Sequence, residues 1–219
     1  MQTADRERRH PVHGGDEGHR LIAGSAAGGD ELIVQTRRAV DGTISYLAMW
    51  WPAAGDPVVL AERGVADNGR SWEIRHSGLW AEQVCEVPFE HWSYGLEAFA
   101  LELDDPVALL GAGLGHRVAF GFELDFVAGD ELVSAESSDI QIGELSGIVL
   151  LGVEQIEIEH WPAHRVHWWD GAAPMADRGP VGAIAIPDDE TIWVGRDELG
   201  LVVGRSPDID RPDRLTEER

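Results

Sequence analysis

Apolar and polar side chains alternate with a period of two along most of the chain, which is the pattern of strands with one buried face. The clearest segment is "RVAFGFELDF" (117–126), in which every second residue is large and apolar. Similar segments are "ELIVQTRR", "ISYLAMWW", "PVVLAER", "SWEIRHS", "LWAEQVCEV", "EQIEIEHW", "GAIAI", "TIWVG" and "LGLVVG". Turn residues separate them, as in "DNG" (67–69), "AGD" (128–130) and "PDDE" (187–190). The pattern therefore predicts an all-β protein, either an antiparallel barrel or a β-sandwich.

Helical signals are few. The segment "PFEHWSYGLEAFALELDD" (88–105) is apolar on both faces, which favours a strand covered on both sides and bulged at Gly95. A helix from Tyr94 to Leu103 is the alternative, because its apolar residues also fit a helical stripe. In "DPVALLGAGLG" (105–115), Pro106 stands where a single helical turn would begin. We therefore expect few, short helices.

The two ends of the chain differ from its middle. Residues 1–20 and 206–219 are charged and lack periodicity, so they are predicted to be flexible tails. Between them, residues 21–205 are predicted to form a single β domain. Two smaller β-subdomains, 21–112 and 113–205, are the alternative arrangement, suggested by the number of strands alone.

Composition excludes several classes of protein. The 219 residues include 40 acidic and 17 basic ones, all of the basic ones arginine, so the formal charge is −23. Such a surface repels phosphate backbones and anionic lipids, so we expect no nucleic-acid partner. No apolar run approaches the roughly 18 residues of a membrane span, and no signal peptide is visible, which predicts a cytoplasmic protein. The single Cys85 excludes an intrachain disulfide, and a homodimer is left open.

The segment "HRVHWWDG" (164–171) concentrates the chemistry of the chain. As a strand it places Arg165, His167 and Trp169 on one face and His164, Val166 and Trp168 on the other. A histidine beside an arginine and a carboxylate such as Asp170 can hold or relay a proton near neutral pH. Further carboxylate partners are expected among Glu123, Asp125 and Glu159. The alternative is that Arg165 and His167 only close a barrel end by bonding to backbone carbonyls.

Aromatic residues are the expected walls of a ligand cavity. The chain has nine tryptophans beside five phenylalanines and two tyrosines, and tryptophan combines a large rigid ring with one donor. The candidate ligand-binding residues are Trp169, Trp168, His164, His160, Trp92, Tyr94 and Trp72. Some of the tryptophans are expected to fill the core instead.

A metal site is not expected. His160, His164 and His167 follow an H-x3-H-x2-H spacing, which on a helix would suggest metal ligands. Pro162 interrupts the run and the flanking residues alternate as in strands, so His164 and His167 should point to opposite faces. The prediction is therefore no metal and no other cofactor.

The block "GELSGIVLLGVEQIEIEHWPAHRVHWWDG" (143–171) resembles the lipocalin-like superfamily that contains carotenoid 1,2-hydratases, also called hydroxyneurosporene synthases. Gly143, Gly147 and Val149 match a G-x-x-x-G-x-V strand, and Arg165, His167 and Trp169 match an Arg-Asp-His-Ser-Trp-Gly motif. The aspartate and serine of that motif are replaced here by Val166 and Trp168.

The resemblance implies a lipocalin-like barrel that binds an apolar isoprenoid, steroid or polyketide-like molecule in an aromatic cavity. Hydration, isomerisation or cyclisation would then use His167 as acid or base, with Arg165 and Asp170 orienting it. The alternatives are a lipid- or terpenoid-binding protein without chemistry and a structural domain whose barrel is filled by its own tryptophans.

Overall fold

The computed structural model describes residues 4–11, 15–25, 29–69, 71–103, 115–171, 182–186, 190–197 and 200–206, with side chains described up to residue 170. In these residues, regular structure consists of thirteen strands and one short 3-10 helix, Ala4–Glu7. The strands are β1 (Asp16–Gly24), β2 (Glu31–Arg38), β3 (Thr43–Trp51), β4 (Val58–Ala66), β5 (Ile74–His76), β6 (Leu79–Val87), β7 (His91–Leu103), β8 (Gly115–Ser134), β9 (Ser138–Leu151), β10 (Glu154–Gly171), β11 (Gly182–Ile186), β12 (Glu190–Asp197) and β13 (Gly200–Ser206). The all-β prediction is confirmed.

Ten strands form one antiparallel sheet in the order β4-β3-β2-β1-β10-β9-β8-β7-β6-β5. Strand β4 also pairs with β7, through Val58 with Glu102 and Val59 with Leu101, which closes eight strands into a ring. Strand β6 and the three-residue β5 extend the sheet beyond β7. Strands β11, β12 and β13 form a separate antiparallel sheet.

The interior of the ring is a packed apolar core. One continuous cluster contains buried side chains from all eight ring strands, among them Leu21, Leu32, Trp50, Phe120 and Phe126. On β8 the predicted alternation is observed, because the phenylalanines are buried while the acidic residues between them are exposed. Each large side chain buried in this way contributes roughly 1.5–3 kcal/mol to stability.

Three predictions about elements are wrong: the turn at 128–130, the covering of both faces of 88–105 and the bulge at Gly95. The turn expected at 128–130 is a bulge inside β8, since its register against β9 shifts between Ala128 and Leu132 without ending the strand. The segment 88–105 contains strand β7, as predicted, and not the alternative helix, but its outward face is partly exposed rather than covered. Gly95 keeps regular pairing with Glu82, and the Trp80 ring lies across it. The helical turn expected at 105–115 lies almost wholly outside the described residues.

The predicted domain boundaries need correction at the N-terminus. Residues 4–11, which we call the N-terminal strap, begin with the 3-10 helix and bury Glu7, and β1 starts at Asp16 in the middle of the large sheet. The prediction of a flexible tail over residues 1–20 is therefore wrong for the described residues of that range. Strand β1 begins with polar residues, so its sequence lacks the alternation that predicts a strand. The alternative division into 21–112 and 113–205 would separate β7 from β8, which pair along their length.

In the part of the chain that the structure describes, no helix has the length and apolar character needed to cross a membrane. The predicted tail 206–219 lies, apart from Ser206, outside the described residues.

Candidate functional site

One end of the barrel holds a buried polar cluster built on two neighbouring strands. Strand β1 pairs antiparallel with β10, so that His19 lies opposite His167 and Leu21 lies opposite Arg165. Arg165 and His167 are both 0% exposed, and Trp169 on the same face is also buried. The predicted common face of these three β10 residues is confirmed.

The Arg165 guanidinium is held on several sides. Its two terminal nitrogens donate to the Glu7 carboxylate at 3.0 and 2.6 Å. The Gln141 side-chain oxygen accepts a third hydrogen bond at 2.5 Å, and His19 Nδ1 lies 3.3 Å away. The guanidinium carbon lies 3.9 Å from the centre of the Trp92 ring. Paired donors facing paired carboxylate oxygens form the strongest common ion-pair geometry in proteins.

The two buried histidines stack on each other. The rings of His19 and His167 lie 4.0 Å apart at an angle of 10°. Burial lowers the pKa of His19 well below its usual value, and the neighbouring His167 and Arg165 lower it further. Burial also lowers the pKa of His167, although its hydrogen bond to Glu17 opposes the shift. Both imidazoles are therefore neutral at neutral pH.

Because both imidazoles are neutral, each has one ring nitrogen that donates a hydrogen bond and one that accepts. His19 accepts from Arg165 through Nδ1, so its proton is on Nε2, and that atom has no hydrogen-bond partner among the described residues. His167 directs Nε2 at a Glu17 oxygen 3.2 Å away, so its proton is there and its Nδ1 is an acceptor without a described partner. The stacked pair therefore presents one unused donor and one unused acceptor.

Three further buried donors adjoin this pair. The indole nitrogens of Trp72 and Trp92 and the Nε of Arg165 have no described hydrogen-bond partner. The Trp72 ring lies 4.8 Å from the His19 ring and the Trp92 ring lies 4.9 Å from it, so the five residues that carry these atoms belong to one contiguous cluster. Each buried polar group left without a partner costs about 1–3 kcal/mol.

The N-terminal strap covers this end of the barrel with charged and aromatic groups. Arg6 lies over the Trp169 ring at 4.8 Å and Arg9 over the Trp72 ring at 5.0 Å. The His10 ring stacks on the Trp169 ring at 4.3 Å and 8°.

Ion pairs with loop and strand residues hold the strap in place. Arg6 pairs with Asp139 at 2.9 Å and Arg9 pairs with Asp67 at 2.6 Å. The only apolar residues of the strap, Ala4 and Pro11, are exposed. The strap is therefore attached by charge and ring contacts rather than by burial of aliphatic side chains.

Most of the predicted aromatic site residues lie in or beside this cluster. Trp72, Trp92 and Trp169 contact its histidines. Tyr94 is buried beside Arg165, and burial raises the pKa of its phenol to about 12.

Four predicted site residues are not in the cluster. Trp168 is buried on the other face of β10, where it packs with Val166 and lies across Gly18. His164 and Asp170 are exposed. His160 is also exposed and pairs with Glu144, because the register of β10 shifts between Ile158 and Trp161.

The carboxylates of the cluster were not predicted. Glu123, Asp125, Glu159 and Asp170 are all exposed, whereas the carboxylates that contact Arg165 and His167 belong to Glu7 and Glu17. The sequence contains a signal for one of them. In "EGHRL", Glu17 and His19 stand at every second position before the apolar Leu21, so a strand places all three on one face. No local pattern points to Glu7.

Among the described residues, one set of groups at this end of the barrel could hold a metal ion. His10, Glu17 and His167 each offer a ligand atom, and these atoms lie within 4.8 Å of one another. The Glu17 carboxylate, however, already accepts hydrogen bonds from the Arg38 guanidinium and, at 2.7 Å, from the backbone of His10. A divalent ion would have to displace the Arg38 contact and tolerate the nearby Arg165 charge. The expectation of no metal stays a prediction.

A comparison with protein-family models, with curated proteins and with solved structures finds no match to this chain. The resemblance to the carotenoid hydratase superfamily, the cytoplasmic location and the homodimer stay predictions. The geometry of the cluster is the basis for any functional proposal.

Proposed function

We propose that the protein binds a small molecule with an apolar, ring-containing body at this end of the barrel. The observation that carries the proposal is the set of five buried polar atoms without described partners on His19, Trp72, Trp92, Arg165 and His167. A ligand whose oxygens meet those donors would offset a desolvation cost that the protein otherwise bears. Aromatic walls with a few convergent polar groups are typical of small-molecule sites.

The packed core limits where the ligand binds. Leu96, Phe122 and Val149 belong to the apolar cluster that fills the ring, so the ligand would lie between that core and the strap. An isoprenoid, steroid or polyketide-like molecule would lie there with its hydrocarbon rings against the indoles and its oxygen functions toward the histidines and Arg165. The strap is the element that would have to move, because it covers this end of the barrel.

Acid–base catalysis is the second candidate function. Glu17 orients the His167 imidazole through Nε2, which leaves the neutral Nδ1, a buried atom without a described partner, as the base. A carboxylate that orients an imidazole is a recurrent arrangement for proton transfer. Glu17 would take the orienting role predicted for Asp170. Hydration, isomerisation or cyclisation of the bound molecule are reactions that such a base could assist.

Mass spectrometry of a solvent extract of the purified protein tests the binding proposal. We expect an apolar metabolite in extracts of the wild type and of Trp80→Phe, whose ring lies on the outer face of the sheet over Gly95. The same metabolite should be depleted in Trp92→Phe, which loses an indole donor of the cluster. Equal amounts in both variants, or no metabolite in the wild type, would count against the proposal.

Incubation of the extracted metabolite with fresh protein tests the catalytic candidate. Chemical change of the metabolite should be lost in His167→Gln and retained in His164→Gln, whose parent side chain is exposed. If the wild type leaves the metabolite unchanged, the catalytic candidate is wrong and binding without catalysis remains.

A further inference from the structure

We propose that the ligand of this site carries a carboxylate group that binds Arg165, and that Glu7 takes its place while the N-terminal strap is closed. The inference rests on the proposed function and names the chemical class of its ligand. It follows from which residues hold Arg165, from their charges and from the element that supplies each of them.

Arg165 is a preformed receptor for an anion. Gln141 and His19 contact its terminal nitrogens, and the Trp92 ring lies against its plane. These three side chains belong to strands β9, β1 and β7, so the barrel wall positions the guanidinium. None of the three is negatively charged. Among the described residues that hydrogen-bond Arg165, only Glu7 carries the balancing charge, and it comes from the strap.

The buried charge restricts how the site can open. A guanidinium that is 0% exposed is strongly unfavourable without an anion, because the barrel end is shielded from water. A neutral ligand that displaced Glu7 would leave Arg165 in that state. A carboxylate ligand replaces Glu7 one for one, with the same two oxygens facing the same two nitrogens. The exchange conserves the charge of the site.

Few side chains of the strap are buried, so few buried contacts oppose the departure of Glu7 from Arg165. Glu7 is the one buried side chain in the helix Ala4–Glu7. Its partner, Arg165, is 158 residues away in sequence. The Arg6 side chain is 28% exposed although it pairs with Asp139. Displacement of the strap with Glu7 therefore breaks ion pairs and ring contacts but requires no aliphatic side chain of the strap to leave the core.

Calorimetric titration with 1-naphthoate and with its uncharged amide, 1-naphthamide, tests this inference on the full chain. The comparison uses Glu7→Gln, which removes the competing charge but keeps the side-chain size, and Asp5→Asn as a matched control. Asp5 lies in the same helix but its side chain pairs with Arg8 at the surface. We expect 1-naphthoate to bind Glu7→Gln about tenfold or more tightly than the wild type, because a charge-assisted competitor is gone. Asp5→Asn should behave as the wild type.

The amide and hydrogen exchange complete the test. We expect 1-naphthamide to bind weakly and equally to all three proteins. In the wild type, 1-naphthoate but not 1-naphthamide should speed amide exchange in residues 4–11, a readout that remains if Glu7→Gln fails to fold. Equal binding of the two probes, or strap protection unchanged by 1-naphthoate, would overturn the inference. An uncharged co-purified metabolite depleted in Trp92→Phe would overturn it too, while the proposed binding function would stand.

Discussion

Replacement of Glu7 by alanine tests whether the strap is part of the folded barrel. The change removes both carboxylate oxygens that accept from Arg165, at 3.0 and 2.6 Å, and leaves a buried guanidinium that, among the described residues, is hydrogen-bonded by neutral groups only. Two charge-assisted hydrogen bonds at about 1.5–3 kcal/mol each give a gross loss of about 3–6 kcal/mol. Removal of one partner of a buried ion pair costs about 3–5 kcal/mol in measured cases, which agrees.

Urea unfolding at neutral pH, followed by circular dichroism and tryptophan fluorescence, measures this loss. We expect Glu7→Ala to lose about 3–5 kcal/mol, or roughly 6–20 °C of melting temperature at about 2–4 °C per kcal/mol for a chain of this size. Asp5→Ala is the matched control, since the Asp5–Arg8 pair is largely exposed and should leave stability almost unchanged. Addition of Arg165→Met to Glu7→Ala should restore part of the loss, because it removes the unpaired charge.

Equal stability of Glu7→Ala and Asp5→Ala would refute the reasoning. It would mean that water reaches Arg165 in the wild type and that the strap does not seal the cluster. A double variant less stable than Glu7→Ala would refute the charge argument in particular, since it would show that Arg165 stabilises the barrel without Glu7.

Three further predictions concern acid stability, backbone contact and metal content. Because His19 and His167 have lowered pKa values in the folded state, the unfolded state binds protons first, so stability is complete above about pH 6.5 and falls as the pH drops below it. The urea midpoint between pH 7.5 and 5 should therefore fall less in His19→Gln than in the exposed control His164→Gln. Gly147→Ala should cost about 1–3 kcal/mol or more in urea unfolding, because its φ is +140° and a Cβ would lie 2.2 Å from a backbone oxygen of β8, whereas Gly24→Ala should cost less. Elemental analysis of protein purified without added metal should find no stoichiometric zinc, iron or copper.

Local alternation was sufficient to predict most of the barrel. From Phe120 to Phe126 on β8 a phenylalanine or leucine recurs at every second position, so the buried face is visible in the sequence itself. The same argument placed Arg165, His167 and Trp169 on one face, because a strand permits no other arrangement of alternate residues.

Strand β1 was missed for a physical reason. Its buried residues include Glu17, His19 and Arg20, which are polar and become buried only because partners on other strands and in the strap meet them. A pattern method reads such a segment as exposed.

Contacts between distant parts of the chain set the remainder of the site. The Glu7 carboxylate reaches Arg165 across 158 residues, and no periodicity encodes that contact. The bulge in β8 and the register shift in β10 also depend on pairing with β9, which turned His160 away from the cluster.

Nitrogen-15 spectra of protein labelled at tryptophan test the central claim, that the barrel end is a small-molecule site, most directly. The buried indole N–H groups of Trp72 and Trp92 have no described partner, whereas the Trp80 indole donates to Glu73 at 3.3 Å near the outer face. On titration of ligand-free protein with the solvent extract of purified protein, we predict that the Trp72 and Trp92 signals shift while the Trp80 signal stays in place. Shifts confined to Trp80, or no shift of any indole signal, would contradict the account.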